Sequence, residues 1–113
     1  MTFEEFKSIA YSFPEVQEAP HFEKTSLRIK NKIFATYDSS KHTATLKISE
    51  VDQDVFTKMS PGKIYPVPNK WGKQGWTIVE LETLEKDILK DALTCAYCEV
   101  APKKLAVLVR RDL

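Results

Sequence analysis

The apolar residues of this chain change period twice, and that change limits what it can fold into. Phe3, Phe6, Ile9, Ala10 and Phe13 recur at helical spacing and form one stripe. From residue 24 the period falls to two: Thr25, Leu27 and Ile29 alternate with Lys24, Ser26, Arg28 and Lys30. The helical period returns with Leu84, Ile88, Leu89, Ala92, Leu93, Ala96 and Val100. Helix, then strands, then helix is the pattern of an α+β domain, with helices set against an antiparallel sheet.

Local signals set the boundaries. Thr2 with Glu5 three residues on makes a capping box, and Pro14 stops the first helix, which covers residues 3–13. Residues 14–20 read as a loop bounded by prolines. Strands follow over 24–30, 32–37 and 43–48, joined at Asn31 and at the polar stretch 38–42. Ser49, with Asp52, caps a second helix whose apolar face is Val51, Val55, Phe56 and Met59. Residues 64–67 suit a short edge strand, since Pro66 and Pro68 cannot donate ladder bonds. Residues 69–75 read as a loop and 76–81 as the last strand. Thr83 caps the longest helix, Pro102 interrupts it, and residues 103–111 hold one or two further turns.

The expected order is α-β-β-β-α-β-β-α. It describes a two-layer α+β sandwich, an antiparallel sheet with helices on one face and the other face open. That open face carries Lys24, Arg28 and Lys30 from the first strand and Lys47 from the third. Ile33, Phe34, Ala35 and Tyr37 leave the facing of the second strand undecided.

At 113 residues, 42% hydrophobic and 29% charged, the chain fits one soluble domain over 1–113 that folds without metal or disulfide. No apolar run approaches the roughly 20 residues of a membrane helix. The start is acidic and lacks a signal core, and there are two cysteines, so the cytoplasm is the expected compartment. Net charge is +1, unevenly spread: residues 1–23 hold one base against five acids, and residues 24–48 hold six bases against one acid. A local basic patch, not net charge, draws a polyanion. The same segregation also suits basic strands ion-paired to acidic helices.

Few residues carry recognisable chemistry. Cys95-Ala96-Tyr97-Cys98 has redox spacing, but Cys95 lies deep in a helix, far from the N-terminal dipole that would activate it. A zinc site would need two more ligands. Both thiols are expected to be core or boundary residues. His21 and His42 lack a neighbouring nucleophile, and Glu15 and Glu18 near His21 fit a solvated loop. Lys70-Trp71-Gly72-Lys73-Gln74-Gly75-Trp76 interleaves cations with indoles, the residue types that meet phosphates and bases. Trp76 opens a strand and is assigned to the core; Trp71 fits either an edge shield or a contact surface. Lys103, Lys104, Arg110 and Arg111 make a basic tail.

Several phrases together resemble the MmcQ/YjbR family: Phe13-Pro14-Glu15-Val16, Glu18-Ala19-Pro20-His21-Phe22, Leu27-Arg28-Ile29 and Lys32-Ile33-Phe34-Ala35. Later come Pro61, Tyr65, Lys73 to Trp76 with Thr77-Ile78-Val79-Glu80-Leu81, and Tyr97 with Val100-Ala101-Pro102-Lys103-Lys104. The resemblance implies a small bacterial cytoplasmic protein with a fold like that of type III secretion chaperones. It implies DNA binding through a "double wing" sheet face, with neither catalytic residues nor a cofactor. The expectation is a DNA-binding protein, not an enzyme, using Lys24, Arg28, Lys30 and Lys47 on the sheet and Lys70, Trp71 and Lys73 in a wing. The alternative is a protein- or peptide-binding, chaperone-like module that presents the open sheet with Tyr37, Tyr65 and Trp71.

Overall fold

In the computed structural model, residues 1–110 are described; Arg111 of the basic tail lies outside them. Thr2 caps α1 (Phe3–Tyr11) with the reciprocal Glu5 bonds of a capping box. Four strands follow: β1 (Gln17–His21), β2 (Lys24–Ile29), β3 (Lys32–Asp38) and β4 (Thr43–Lys47). Then come α2 (Glu50–Met59), β5 (Ile64–Pro66), a one-turn helix α3 (Lys70–Lys73), β6 (Trp76–Glu80), α4 (Lys86–Val100) and α5 (Lys103–Val109). The sheet is antiparallel in the order β1-β2-β3-β4-β6-β5, and α4 packs across β3 and β4. The α+β sandwich expected from the periodicity is the fold observed.

The core lies between the sheet and the helices. Leu27, Ile29, Ala44, Leu46, Val79 and Leu81 meet Phe6, Ala10, Leu89, Leu93 and Ala96, all fully or almost fully buried. A bulge between β2 and β3 resolves the doubly apolar second strand. Leu27 pairs with Ala35 and Arg28 with Ile33, so Phe34 is an extra residue. It turns inward with Ala35 and meets Tyr97 edge to face, ring centroids 5.7 Å apart. Ile33 and Thr36 then fall on the open face.

The observed elements depart from the expected ones in five places. Residues 17–21 form β1 rather than part of a loop; their own β propensity is low, and they pair along β2 as an edge strand, where Pro20 needs no second partner. Residues 70–73 form α3 within the expected loop, capped by Asn69 accepting from the Trp71 amide at 2.9 Å. The longest helix starts at Lys86 with no side-chain cap, after a turn through Thr83. Tyr37 is buried against Phe3, ring centroids 4.2 Å apart, and is not an exposed aromatic. On α2 only Phe56 is buried; Val51, Val55 and Met59 face outward, Val51 with 73% of its surface exposed.

Candidate functional site

The strand registers define the open face residue by residue. Alternation puts Gln17, Ala19 and His21 of β1 there, beside Arg28, Ser26 and Lys24 of β2. Ile33, Thr36 and Asp38 of β3 continue it, then Lys47, Thr45 and Thr43 of β4, and Trp76, Ile78 and Glu80 of β6. Tyr65 of β5 pairs beside Ile78 and donates its hydroxyl proton to the Glu80 carboxylate. That bond, more than burial, raises the Tyr65 pKa above its usual value.

A groove of about 500 Å³ runs diagonally over this face. His21 and Lys24 stand at one end; Val67, Trp71 and Trp76 stand at the other. Between them lie Ile33, Thr36, Thr45 and Ile78. The floor is therefore mostly apolar, with two hydroxyls and a cation at the rim. Trp76 is a half-buried wall of the groove, not the core residue expected of it.

The indole of Trp71 is placed by backbone fit. Gly72 lies so close to the Val67 carbonyl oxygen that an added Cβ would sit 2.0 Å from it. Gln53 on α2 donates from Nε2 to the Gly72 carbonyl at 2.9 Å and to Thr77 Oγ1 at 3.0 Å. This pins α3 between α2 and β6 and leaves Trp71 half-exposed, with Lys70 Nζ 5.9 Å from its ring centroid.

The structure brings together only part of the expected set. Lys24 is exposed at the groove rim, and Arg28 lies along β2 with Nε donating to Ser26 Oγ at 2.9 Å. Lys70 and Trp71 stand across from them. Lys30 instead occupies the left-handed β2–β3 turn (φ 52) and pairs with Glu15 at 2.9 Å. Lys47 leaves the face to reach Glu99 on α4, at 3.7 Å. Lys73 lines a different depression with Glu50 and Asp54 of α2. Lys30 and Lys47 are ion-paired to carboxylates from the acidic segments 1–23 and 80–101, in the manner of the ion-pairing alternative. His21 and Phe22 were missing from the expected set; the signal was their place beside Lys24, hidden because β1 read as loop.

The remaining candidates find structural partners. Glu18 pairs with Lys7 and accepts from Tyr11 Oη, while Glu15 pairs with Lys30, so neither carboxylate joins His21. His42 Nε2 donates to the Met1 carbonyl, which leaves Nδ1 to accept from Tyr37 Oη at 2.9 Å. Cys95 and Cys98 are half-buried free thiols; burial, then the nearby Asp52 carboxylate, pushes Cys95 up to about 11. Among the described residues no group of three or more His, Cys, Asp or Glu is arranged to hold a metal ion. Among them, too, no helix is long and apolar enough to cross a membrane.

Comparison with known proteins places this fold. No curated protein matches the sequence. The crystal structure of protein DR2400 of Deinococcus radiodurans, described by the domain DUF419, superposes with a TM-score of 0.78. It is 21% identical and the match covers 98% of this chain and 86% of that one, a likeness of fold. The YjbR family model matches residues 11–99, which include every strand and most of the helical layer. The chain belongs to the YjbR family.

Proposed function

We propose that this protein is a non-catalytic nucleic-acid-binding module, DNA being the expected ligand, and that it works through the open sheet face. The observation that carries the reading is the groove itself, walled by Trp71 and Trp76 at one end and rimmed by Lys24, with Arg28 paired in register beside Ile33 of its floor. Indole faces take bases whatever their identity, and guanidinium and ammonium groups take the flanking phosphates. The contact set is Lys24, Arg28, Lys70, Trp71 and Trp76. Lys30 and Lys47 contribute less because they are ion-paired, and Lys73 because it lines a different depression. With three phosphate-seeking cations, binding is weak and largely insensitive to sequence.

The test is a tryptophan-fluorescence titration with short DNA over a salt series. Three phosphate contacts give a log–log salt slope of about −2 to −3. Lys24→Glu with Arg28→Glu should flatten that slope by roughly two thirds and weaken binding at low salt. Unchanged affinity and slope in the double variant would remove the sheet face from the account. A second reading, a protein- or peptide-binding module, draws on the outward Val51, Val55 and Met59 stripe of α2. It predicts a partner whose binding survives the sheet-face reversals and fails on Val55→Asp.

A further inference from the structure

We propose that Phe22 and Trp71 are paired stacking platforms at opposite ends of the groove, and that the nucleic acid held between them is single-stranded. The inference rests on the reading of the open face just given.

Phe22 is the least explained residue of the fold. It is 94% exposed, touching His21 edge-on with ring centroids 4.8 Å apart. It also sits at φ 58, in the first central position of a two-residue hairpin loop closed by the His21–Lys24 pair. Hairpin loops of this kind give left-handed positions to glycine, asparagine or aspartate, and a bulky side chain there is strained. The chain thus bears a strained backbone and an unburied ring at one residue. Packing within the described residues offsets neither. A strained, exposed aromatic is a pointer to a contact outside the chain.

Its position says which contact. The two residues flanking the loop, His21 and Lys24, are the groove's near end. Trp71, also half-exposed, is its far end. Between them the sheet crosses from β2 through β3 and β4 to β6, about 14 Å at the usual strand spacing, while the registers carry the groove four residues along the strands, from the Lys24–Glu80 row to Trp76, so the diagonal is about 19 Å. That is the length of roughly six stacked nucleotides. Lys24 lines one depression with Phe22 and Glu23 at the groove's near end, and Lys70 Nζ lies 5.9 Å from the Trp71 ring, so a cation stands at each end where a flanking phosphate would lie.

A duplex cannot use this arrangement. Its base faces are stacked on one another, so it offers only edges and backbone, and the groove floor of Ile33, Ile78 and Val67 has little to offer edges. A duplex also needs a dense line of unpaired cations, whereas Lys30 and Lys47 are ion-paired here. An unpaired strand presents π faces to Phe22 and Trp71 and its backbone to the two lysines.

The experiment measures fluorescence anisotropy of a labelled oligothymidine of about six nucleotides and of a labelled DNA duplex, both at low salt. The native chain should bind the single strand at least about tenfold tighter than the duplex. Phe22→Gly should weaken single-strand binding by about tenfold, the loss expected for one stacked base. It should leave duplex binding within about twofold and should not lower the melting temperature, because glycine suits the turn. Trp71→Ala should weaken single-strand binding similarly. Duplex binding equal to or tighter than single-strand binding would overturn the inference and leave the nucleic-acid reading standing. So would an unchanged single-strand affinity in Phe22→Gly. No binding of either ligand would overturn both.

Discussion

A methyl group on Gly75 would lie 1.9 Å from the Ile48 carbonyl oxygen, and φ there is +102, which L side chains rarely adopt. The same residue accepts from the Ile48 amide at 3.0 Å, so the turn into β6 is built around it. Gly75→Ala should therefore lower the unfolding free energy by about 2–4 kcal/mol in urea titration, through strain and displaced backbone. Cys95 gives a second prediction at this scale. With its pKa at about 11, the thiol stays protonated at neutral pH and is a poor nucleophile. Iodoacetamide should alkylate it far more slowly in the folded than in the urea-unfolded protein near pH 8, where the unfolded thiol ionises freely. The boundary role of these cysteines was legible, because helical spacing alone put Cys95 on the apolar face. The pairings of Lys30 and Lys47 were not, since they join residues far apart in sequence.

At the scale of elements, two links outside the core hold the groove's two ends. Gln53 ties α2 to α3 and β6, and Gln53→Ala should cost about 1–2 kcal/mol through the lost hydrogen bonds, since the Gly72 and Trp76 carbonyls each keep a backbone amide donor. Its more telling effect is optical: Trp71 loses its fixed setting, and the tryptophan anisotropy should fall. At the other end, β1 is held to α1 by Glu18, which pairs with Lys7 at 3.0 Å and with Tyr11 Oη at 2.8 Å. The Tyr11 bond first, then the Lys7 bond, holds the Glu18 carboxyl below its ordinary 4.5. A lowered carboxylate adds stability that is complete above the ordinary value and disappears as pH falls through the lower, folded one. Glu18→Gln should thus lower the melting temperature at pH 6 and make no difference near pH 2. Helix α1 was readable from period and cap, α2 from its Ser49 cap, and α4 and strands β2 to β4 from period. β1 was not, because Gln17-Glu18-Ala19-Pro20-His21 has no alternating apolar pattern and becomes a strand only by pairing along β2. The bulge at Phe34 was equally invisible, since it exists only in the register between two strands.

For the whole molecule, charge segregation resolves into two uses. Of the six bases in the middle segment, Lys30 and Lys47 pair with acids outside it, and Lys24 and Arg28 stay beside an aromatic groove. The open face was legible from the order of elements, but its apolar floor was not, because Ile33, Trp76 and Ile78 come from three strands. On the proposed reading the sheet is the functional surface, and α2 is a lesser, apolar exposure. The most direct test is amide chemical-shift mapping of the isotope-labelled protein during titration with a short single-stranded oligonucleotide. The shifts should cluster at Phe22, Lys24, Arg28, Thr36, Thr45, Ile78 and both indole N–H groups, and should fade as salt rises. Shifts confined to α2 around Val51, Val55 and Met59, or none at low salt, would contradict the assignment of the open face as the binding surface.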